Sequence, residues 1–395
     1  MLNVRLDAIE ADMLRQAAAK HGFKNASAYV RSLILQDQGS DRTWEAEVGG
    51  GDETLETPGL FHATPLGQMY HGDSLGLFRH VVKPGTVDLV VTSPPFGLVK
   101  KKEYGNVPAD DYVEWFRPFA AGIRQSLKPT GSLVIDIGPA WRKGTPTKSL
   151  YQFELLLMLC KEFDFHLAQD FYWWNPCRMP APAEWVNVRR LRVKDSVNPV
   201  WWLSPTPWPK ASNKRVLTPY GEDQQRLFKA GYNAGLRPSG HLVSKNWGRD
   251  NGGAVPPNLI AAPNTVSDDS YQKYCRAMGI APHPARFPRR LPEFFVRMLT
   301  DRDDLVVDPF AGSCLTGAVA QSLQRRWLCC ELRKDYLLGA LGRFAEGAAE
   351  QKPEVDASYR VPTSGAYALD QEGELLPCGG KDFRQLSARD RPNDR

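Results

Sequence analysis

The apolar positions of this chain change period several times along its length, and each change marks an element. In "LNVRLDA" the apolar Leu2, Val4 and Leu6 alternate with Asn3, Arg5 and Asp7, the period of a half-buried strand. "IEADMLRQAAAKHGF" then sets Ile9, Met13, Leu14 and Ala17 at helical spacing and stops at Gly22, and "NASAYVRSLILQDQ" opens a second helix after Asn25 or Ser27. One short strand and two helices cannot bury a core alone, so residues 1–38 read as a small separate module. Residues 39–66 are acidic, glycine-rich and without period, which predicts a flexible linker. From residue 67 strand-like runs alternate with helical patterns, the signature of an α/β domain with a largely parallel sheet. "GQMYHGD", "VDLVVTS", "GSLVIDIG", "FHLAQDFYWW", "DLVVDPF" and "RWLCCEL" are the strand candidates. Several end in an acid, glycine or proline, as strands do at the ligand-bearing edge of such a sheet. Residues 179–279 break the rhythm, being rich in proline, glycine, asparagine, arginine and tryptophan, and read as a loop-dominated insertion. Residues 349–395 read as a polar, aperiodic tail.

Composition changes this picture little. At 395 residues with 42% hydrophobic content the chain has room for two or three domains and a sizeable core. A net charge of +5 is too small for its length to argue for nucleic acid by itself, so only local basic clusters bear on that question. No run approaches the ~18 apolar residues of a membrane span, and "MLNVRLDAIEADM" lacks the basic-then-apolar pattern of a signal peptide. A cytoplasmic location without membrane contact is the expectation. The 7 cysteines, irregularly spaced and without a C-x-x-C pair, fit neither a disulfide framework nor a zinc site and read as reduced, mostly interior thiols.

Two stretches carry candidate chemistry. In "LVVDPFAGSCLTGAVAQSL" a buried strand delivers Asp308 to a turn where Ala311, Gly312 and Ser313 let backbone approach a ligand before a helix starts near Thr316. Alone, the turn is also what any tight strand-to-helix crossover looks like, and it is not a Walker loop because no lysine follows Gly317. "RRWLCCELRKDYL" ends a further strand in Glu331, and an acid at such a tip can accept both ribose hydroxyls of a nucleoside. Together they point to an adenosine-containing cofactor. Upstream, "VDLVVTSPPFGL" starts as a buried strand and stops on a hydroxyl, two prolines and an aromatic ring.

"DPFAGS" followed by "CCEL", with "TSPPF" far upstream, resembles the β-group of amino-directed DNA methyltransferases. "SPPFGLVKKKEYGN", "DFYWWNP", "RPSGH", "DNGGAVPPNL" and "HPARFPRRLPEFFVRMLT" are similar to its cytosine-N4 branch, in unbroken order from Gln68 to Phe344. The resemblance implies an α/β, circularly permuted S-adenosylmethionine-dependent methyltransferase fold, a Rossmann-like mixed sheet flanked by helices. Residues 67–178 would then be its catalytic half, 179–279 an inserted target-recognition region and 280–348 its cofactor-binding half. It implies methyl transfer from S-adenosylmethionine to the N4 amine of a cytosine flipped out of double-stranded DNA. That amine is a poor nucleophile because its lone pair is delocalised into the ring. Acceptors held out of the ring plane would free the pair, and the Ser93 hydroxyl and Pro94 carbonyl are suitable ones. Pro95, with Pro94, would stiffen the loop, and Phe96 would stack on the base.

The same resemblance places Asp73 near the adenine amine, Glu331 on the ribose, and Phe310, Gly312 and Ser313 along the methionine end. Asp308 would order the turn, and Phe287 of "HPARFP" would pack beside the cofactor. Cys314 and Leu315 stand where related enzymes have Gly or Asn and then Thr. Phosphate contacts are expected from Lys100, Lys101 and Lys102, and from Arg189, Arg190, Arg192 and Lys194, with a solvated charged face as the alternative for each. Trp173 or Trp174 is the tryptophan expected near a base. The first module, with "SAYVRSLI", resembles the ribbon-helix-helix family, whose members dimerise through their strands and read a major groove; here Asn3 and Arg5 would face the bases. The partners implied are duplex DNA, a cognate restriction endonuclease acting on the same site, and a second copy bound through this module.

Three alternatives stay open. Carbon-5 methylation needs a cysteine nucleophile after proline, and Pro176-Cys177 supplies the dipeptide without its usual surroundings. Adenine-N6 methylation is chemically close, although adenine enzymes usually carry Asp or Asn in place of Ser93 and Tyr in place of Phe96. A regulator that binds DNA and only senses the cofactor is the alternative from another class, against which the intact Ser-Pro-Pro-Phe argues.

Overall fold

The computed structural model describes residues 55–345 except 100–101, 103–104, 232–233, 245–247 and 265–268, together with Gln16 and two short segments near the C-terminus. Its centre is a nine-stranded sheet of order β1-β2-β11-β10-β3-β4-β6-β5-β9. Along the chain run β1 (Gly59–Ala63), β2 (Gly67–His71), α1 (Ser74–His80), β3 (Val87–Thr92), α2 (Tyr112–Ser126), β4 (Leu127–Asp136), α3 (Tyr151–Lys161), β5 (His166–Trp174) and β6 (Val197–Ser204). Then follow α4 (Glu222–Ala230), a two-stranded ribbon of β7 (Gly235–Leu236) and β8 (Leu242–Val243), β9 (Leu259–Ala261), α5 (Ser270–Met278) and α6 (Arg290–Leu299). The last elements are β10 (Leu305–Asp308), α7 (Leu315–Ser322), β11 (Arg326–Glu331) and α8 (Lys334–Ala340). A separate unit, 353–395, contains an antiparallel pair, β12 (Tyr367–Leu369) and β13 (Leu375–Pro377).

β2, β11, β10, β3 and β4 run parallel, β6 runs against β4 and β5, and β5 is parallel to β9. Every residue of β3 is buried, as its unbroken apolar run predicts for a strand covered on both faces. On one face α1, α2 and α3 contribute Leu77, Phe116, Ile123 and Leu155; on the other α6, α7 and α8 contribute Phe295, Val296, Val319 and Leu337. This is a three-layer α/β sandwich with a mixed sheet, as expected for the fold class. No helix among the described residues is long and apolar enough to cross a membrane.

Two boundaries differ from the sequence expectation. The linker assigned to 39–66 ends too late, because Gly59–Ala63 pairs antiparallel with β2 as an edge strand. The insertion assigned to 179–279 is not one loop region, because Val197–Ser204 is an interior strand between β4 and β5, and Leu259–Ala261 closes the sheet edge. Pro199 disguised β6, since proline argues against a central strand. Here it sits near the strand start and contributes its carbonyl, which accepts from Ile137 N at 3.2 Å. Because β6 runs antiparallel to β4, the loop 175–196 lies at the edge where β3 and β4 end. Residues 205–216 lie at the opposite edge, where Lys210 N bonds Thr130 O and Ser212 N bonds Met298 O. The ribbon-helix-helix reading of 1–38, with Asn3 and Arg5, lies outside the described residues.

Candidate active site

The parallel strands β2, β3, β10 and β11 all end at one edge of the sheet, and their outgoing loops surround a cleft. Its walls are Gly72 and Asp73 after β2, Ser93 to Phe96 after β3, Pro309 to Ser313 after β10, and Glu331 with Leu332 at the end of β11. His283, Ala285, Arg286 and Phe287 close it from the segment before α6, and Trp115 and Phe119 face it from α2.

At the end of β11 the Glu331 carboxylate accepts two backbone N–H groups, Gly312 N on Oε2 and Arg333 N on Oε1, each at 2.8 Å. Burial pushes this carboxyl above its usual value, and the backbone bonds offset part of that shift. With a third backbone N–H, that of Leu332, also directed at it, the carboxylate still has acceptor capacity left for a hydroxyl donor. Gly312 has φ +50, and a Cβ there would lie 3.1 Å from His283 Nε2, so conformation and space both call for glycine. His283 Nδ1 accepts from Ala285 N at 3.2 Å, and burial lowers the imidazole to about 4, so the ring is neutral at pH 7 with its proton on Nε2. Ser313 is held from behind by Arg343, whose Nε donates to its carbonyl at 2.8 Å and whose Nη2 donates to its hydroxyl at 3.1 Å. Asp73 N-caps α1 through Leu75 N at 2.8 Å.

Asp308 does not line the cleft. It is completely buried and accepts Thr92 Oγ1 at 2.8 Å and Phe310 N at 3.1 Å on Oδ1, and Thr316 Oγ1 at 2.7 Å on Oδ2. Burial raises its carboxyl to about 6 despite these donors. Cys314, where the family resemblance leads one to expect Gly or Asn, adopts φ +53. This is the left-handed conformation those residues tolerate best.

On the β3 side the Ser93 hydroxyl donates to Asp136 Oδ2 at 3.0 Å. The pairing follows from register, since Thr92 lies opposite Ile135 in the parallel β3–β4 ladder. Asn198 Nδ2 donates to Asp136 Oδ1 at 3.1 Å, and Arg178 Nη1 donates to Asn198 Oδ1 at 2.6 Å. Burial raises Asp136 to about 6, offset in part by the Asn198 and Ser93 bonds and by the Arg178 charge. Asp136 and Asn198 were not singled out in the sequence. The available signal was an acid closing an otherwise apolar strand, in "SLVID".

The basic residues expected at DNA are only partly free. Arg189 pairs with Glu184 at 2.7 Å and lies over Trp185 at 5.0 Å. Arg192 lies 3.9 Å over the Trp141 ring and donates to Pro146 O at 2.6 Å, so it knits loop 138–149 to loop 175–196. Lys194 Nζ reaches Pro176 O at 3.3 Å, and Arg190 is exposed. Lys102 is described, half-buried, with its backbone N bonded to Asn106 Oδ1; Lys100 and Lys101 lie outside the described residues. Trp173, a candidate base contact, is a core residue whose Nε1 donates to Ala262 O at 2.9 Å. Cys177 is exposed and does not line the cleft, which removes the carbon-5 reading.

A family description, DNA methylase, matches residues 87–341. The chain is 46% identical over 303 residues, 76% of its own length and 90% of the other's, to the type II methyltransferase M.PvuII of Proteus hauseri. It is 40% identical over 284 residues to M2.DpnII of Streptococcus pneumoniae, covering 68% of this chain and 86% of that one. Among solved structures, PvuII DNA methyltransferase (cytosine-N4-specific) superimposes with a TM-score of 0.59 at 44% identity, over 72% of this chain and 88% of that one. The match takes in the Ser-Pro-Pro-Phe loop, the glycine turn and Glu331 together, and the chain therefore belongs to the N6/N4 DNA methylase family: it is a DNA methyltransferase.

Proposed function

We propose that this chain methylates the N4 amine of a flipped-out cytosine in duplex DNA, as the modification enzyme of a restriction–modification pair, with S-adenosylmethionine as methyl donor. The donor set of the cleft fits that cofactor: acids (Glu331, Asp73) at one end for hydroxyl and amine groups, and the faces of Phe310, Trp115 and Phe119 for a cation or a ring. When bound, the cofactor supplies an electrophilic methyl group. The chain's own part is to make the amine nucleophilic.

The Ser93–Asp136 hydrogen bond carries this reading. Because the Ser93 proton points to Asp136 Oδ2, the lone pairs of Ser93 Oγ are left to accept an N–H of the base. The Pro94 carbonyl is the second acceptor, and Phe96 offers a face to the pyrimidine. After transfer the amine is cationic; its proton passes to Ser93 Oγ as the serine hydroxyl proton passes along the existing hydrogen bond to the Asp136 carboxylate, which burial has made a better proton acceptor, so the methylated amine and the serine both end neutral. Preorganised acceptors of this kind act through positioning and local electrostatics. Ser93 and Phe96, with the similarity to a cytosine-N4-specific enzyme, favour cytosine over adenine. The catalytic loop precedes the glycine turn in the chain, which supports a circularly permuted form of the methyltransferase fold. Arg190 and Lys194, with Arg142 and Lys143 of the knitted loop 138–149, sit at the catalytic edge and would meet phosphates.

The test is methyl transfer from labelled cofactor to unmethylated duplex DNA, with nucleoside mass spectrometry, for wild type and Ser93→Ala. N4-methylcytosine lost in the variant is the expected result. N6-methyladenine overturns the base, and cofactor binding without product on diverse DNA points to a regulator.

A further inference from the structure

Tyr151 opens α3 and lies outside the cleft, yet its hydroxyl meets both the segment leaving β4 and the end of the Ser-Pro-Pro-Phe loop. Its hydroxyl donates to Gly138 O, two residues beyond the end of β4, and the Gly97 backbone N–H points at the same hydroxyl oxygen. Gly97 follows Phe96. The neighbouring Gln152 Nε2 donates to Ile137 O at 3.0 Å, so the first turn of α3 fixes two successive carbonyls of the segment leaving β4. Phe96 lies directly on that segment, since a Cβ on Gly138 would overlap the Cε2 and Cδ2 atoms of its ring. The Phe96 ring therefore has a floor, Gly138, and a tie, Tyr151, that joins the floor to the loop carrying the ring.

Tyr112 gives an internal contrast. Its ring meets Tyr151 edge-on at 4.7 Å and it is completely buried, but its hydroxyl finds no hydrogen-bond partner. Two adjacent phenols thus share one environment, and only one of them uses its oxygen.

We propose that Tyr151 is a positioning residue for the target base, acting through Gly138 and Gly97 to hold Phe96 as the wall against which the flipped base stacks. This rests on the base-flipping reading above. It predicts a division of labour in which the Tyr151 hydroxyl governs how the base sits and has no part in holding the cofactor. A misplacement of about 1 Å in such a wall is enough to cost on the order of 10²-fold in rate.

The experiment compares wild type, Tyr151→Phe, Gly138→Ala and Tyr112→Phe in kcat, in cofactor affinity by calorimetry without DNA, and in the emission of 2-aminopurine at the target position of a duplex. Tyr151→Phe keeps the ring packing and is expected to lower kcat about ten- to hundredfold and change the 2-aminopurine emission, with cofactor affinity within about twofold. Gly138→Ala should reproduce that signature, and Tyr112→Phe should match wild type in all three. Tyr151→Phe with unchanged kcat and emission, or with a rate loss that follows lost cofactor affinity, overturns the proposal. If Gly138→Ala does not fold, Tyr151→Phe against Tyr112→Phe decides alone. A wild type that methylates no duplex overturns the proposed function and this inference with it; an active wild type indistinguishable from Tyr151→Phe overturns this inference only.

Discussion

Thr92 and Asp308, 216 positions apart in the sequence, are joined by a buried 2.8 Å hydrogen bond from the Thr92 hydroxyl to the Asp308 carboxylate. Thr92 precedes Ser93, and Asp308 starts the glycine turn. The bond fixes the spacing between the Ser-Pro-Pro-Phe loop and the glycine turn, the two loops that face each other across the cleft. Thr316 and the Phe310 N–H hold the same carboxylate, so the glycine turn, α7 and β3 meet at one buried acid.

Asp136→Asn should lower kcat about 10²-fold with little change in cofactor affinity. With the amide oxygen kept toward Asn198, its NH2 would donate to Ser93 Oγ and turn the serine proton toward the base, reversing the polarity the amine needs. Single-turnover methylation separates this from a binding defect.

The same variant carries a pH signature. Asp136 is raised to about 6 from 3.8, so its folded value lies above its unfolded value. Its contribution to stability is therefore fully present below about pH 3.8 and is lost as pH rises through 6. At pH 7.5 Asp136→Asn should melt no lower than wild type, and its advantage should shrink toward pH 4. Catalysis runs the other way: wild-type kcat should fall as pH drops through about 6, when Asp136 protonates and stops accepting from Ser93. Thermal melts and rate profiles over pH 4–8 check both.

Arg343→Ala should be costly. Its guanidinium is almost wholly buried, pairs with Asp269 at 3.3 Å and supplies both bonds to Ser313. Breaking a buried pair on one side costs about 3 kcal/mol or more, although Arg286 still faces Asp269 at 3.3 Å and limits the loss. Denaturant unfolding measures the stability, and calorimetry should show weaker cofactor binding because the turn loses its support.

Arg190→Glu with Lys194→Glu should raise KM for DNA several-fold at unchanged cofactor affinity. The dependence of log Kd on log salt should flatten by about one for each phosphate contact removed. An unchanged slope would place the duplex elsewhere on the surface.

Much of the site is spelled in local motifs. "TSPPF", "DPFAGS" and the acid of "CCEL" each sit at a strand end, and an unbroken apolar run such as "VDLVV" announces a strand covered on both faces. β1 escaped notice because a short edge strand with exposed residues has hardly any pattern to show, and β6 because Pro199 argues against its own strand. Trp115 and Phe119 were not singled out in the sequence, because on amphipathic α2 an aromatic that faces the cleft has the same spacing as one that faces the core.

The sequence by itself determined the α/β class, the order of the strand-end motifs along the chain, and the residue types that line the cleft, because local propensity and strand-end chemistry are properties of contiguous residues. Only the tertiary structure decided that Asp136 stands behind Ser93, that Asn198 and Arg178 stand behind Asp136, that Asp308 ties β10 to β3, and that Arg192 is spent on Trp141. Those relations depend on which strands are neighbours and in what register. Neighbours in a sheet are chosen by burial of whole faces, with no mark in the residues that come to touch.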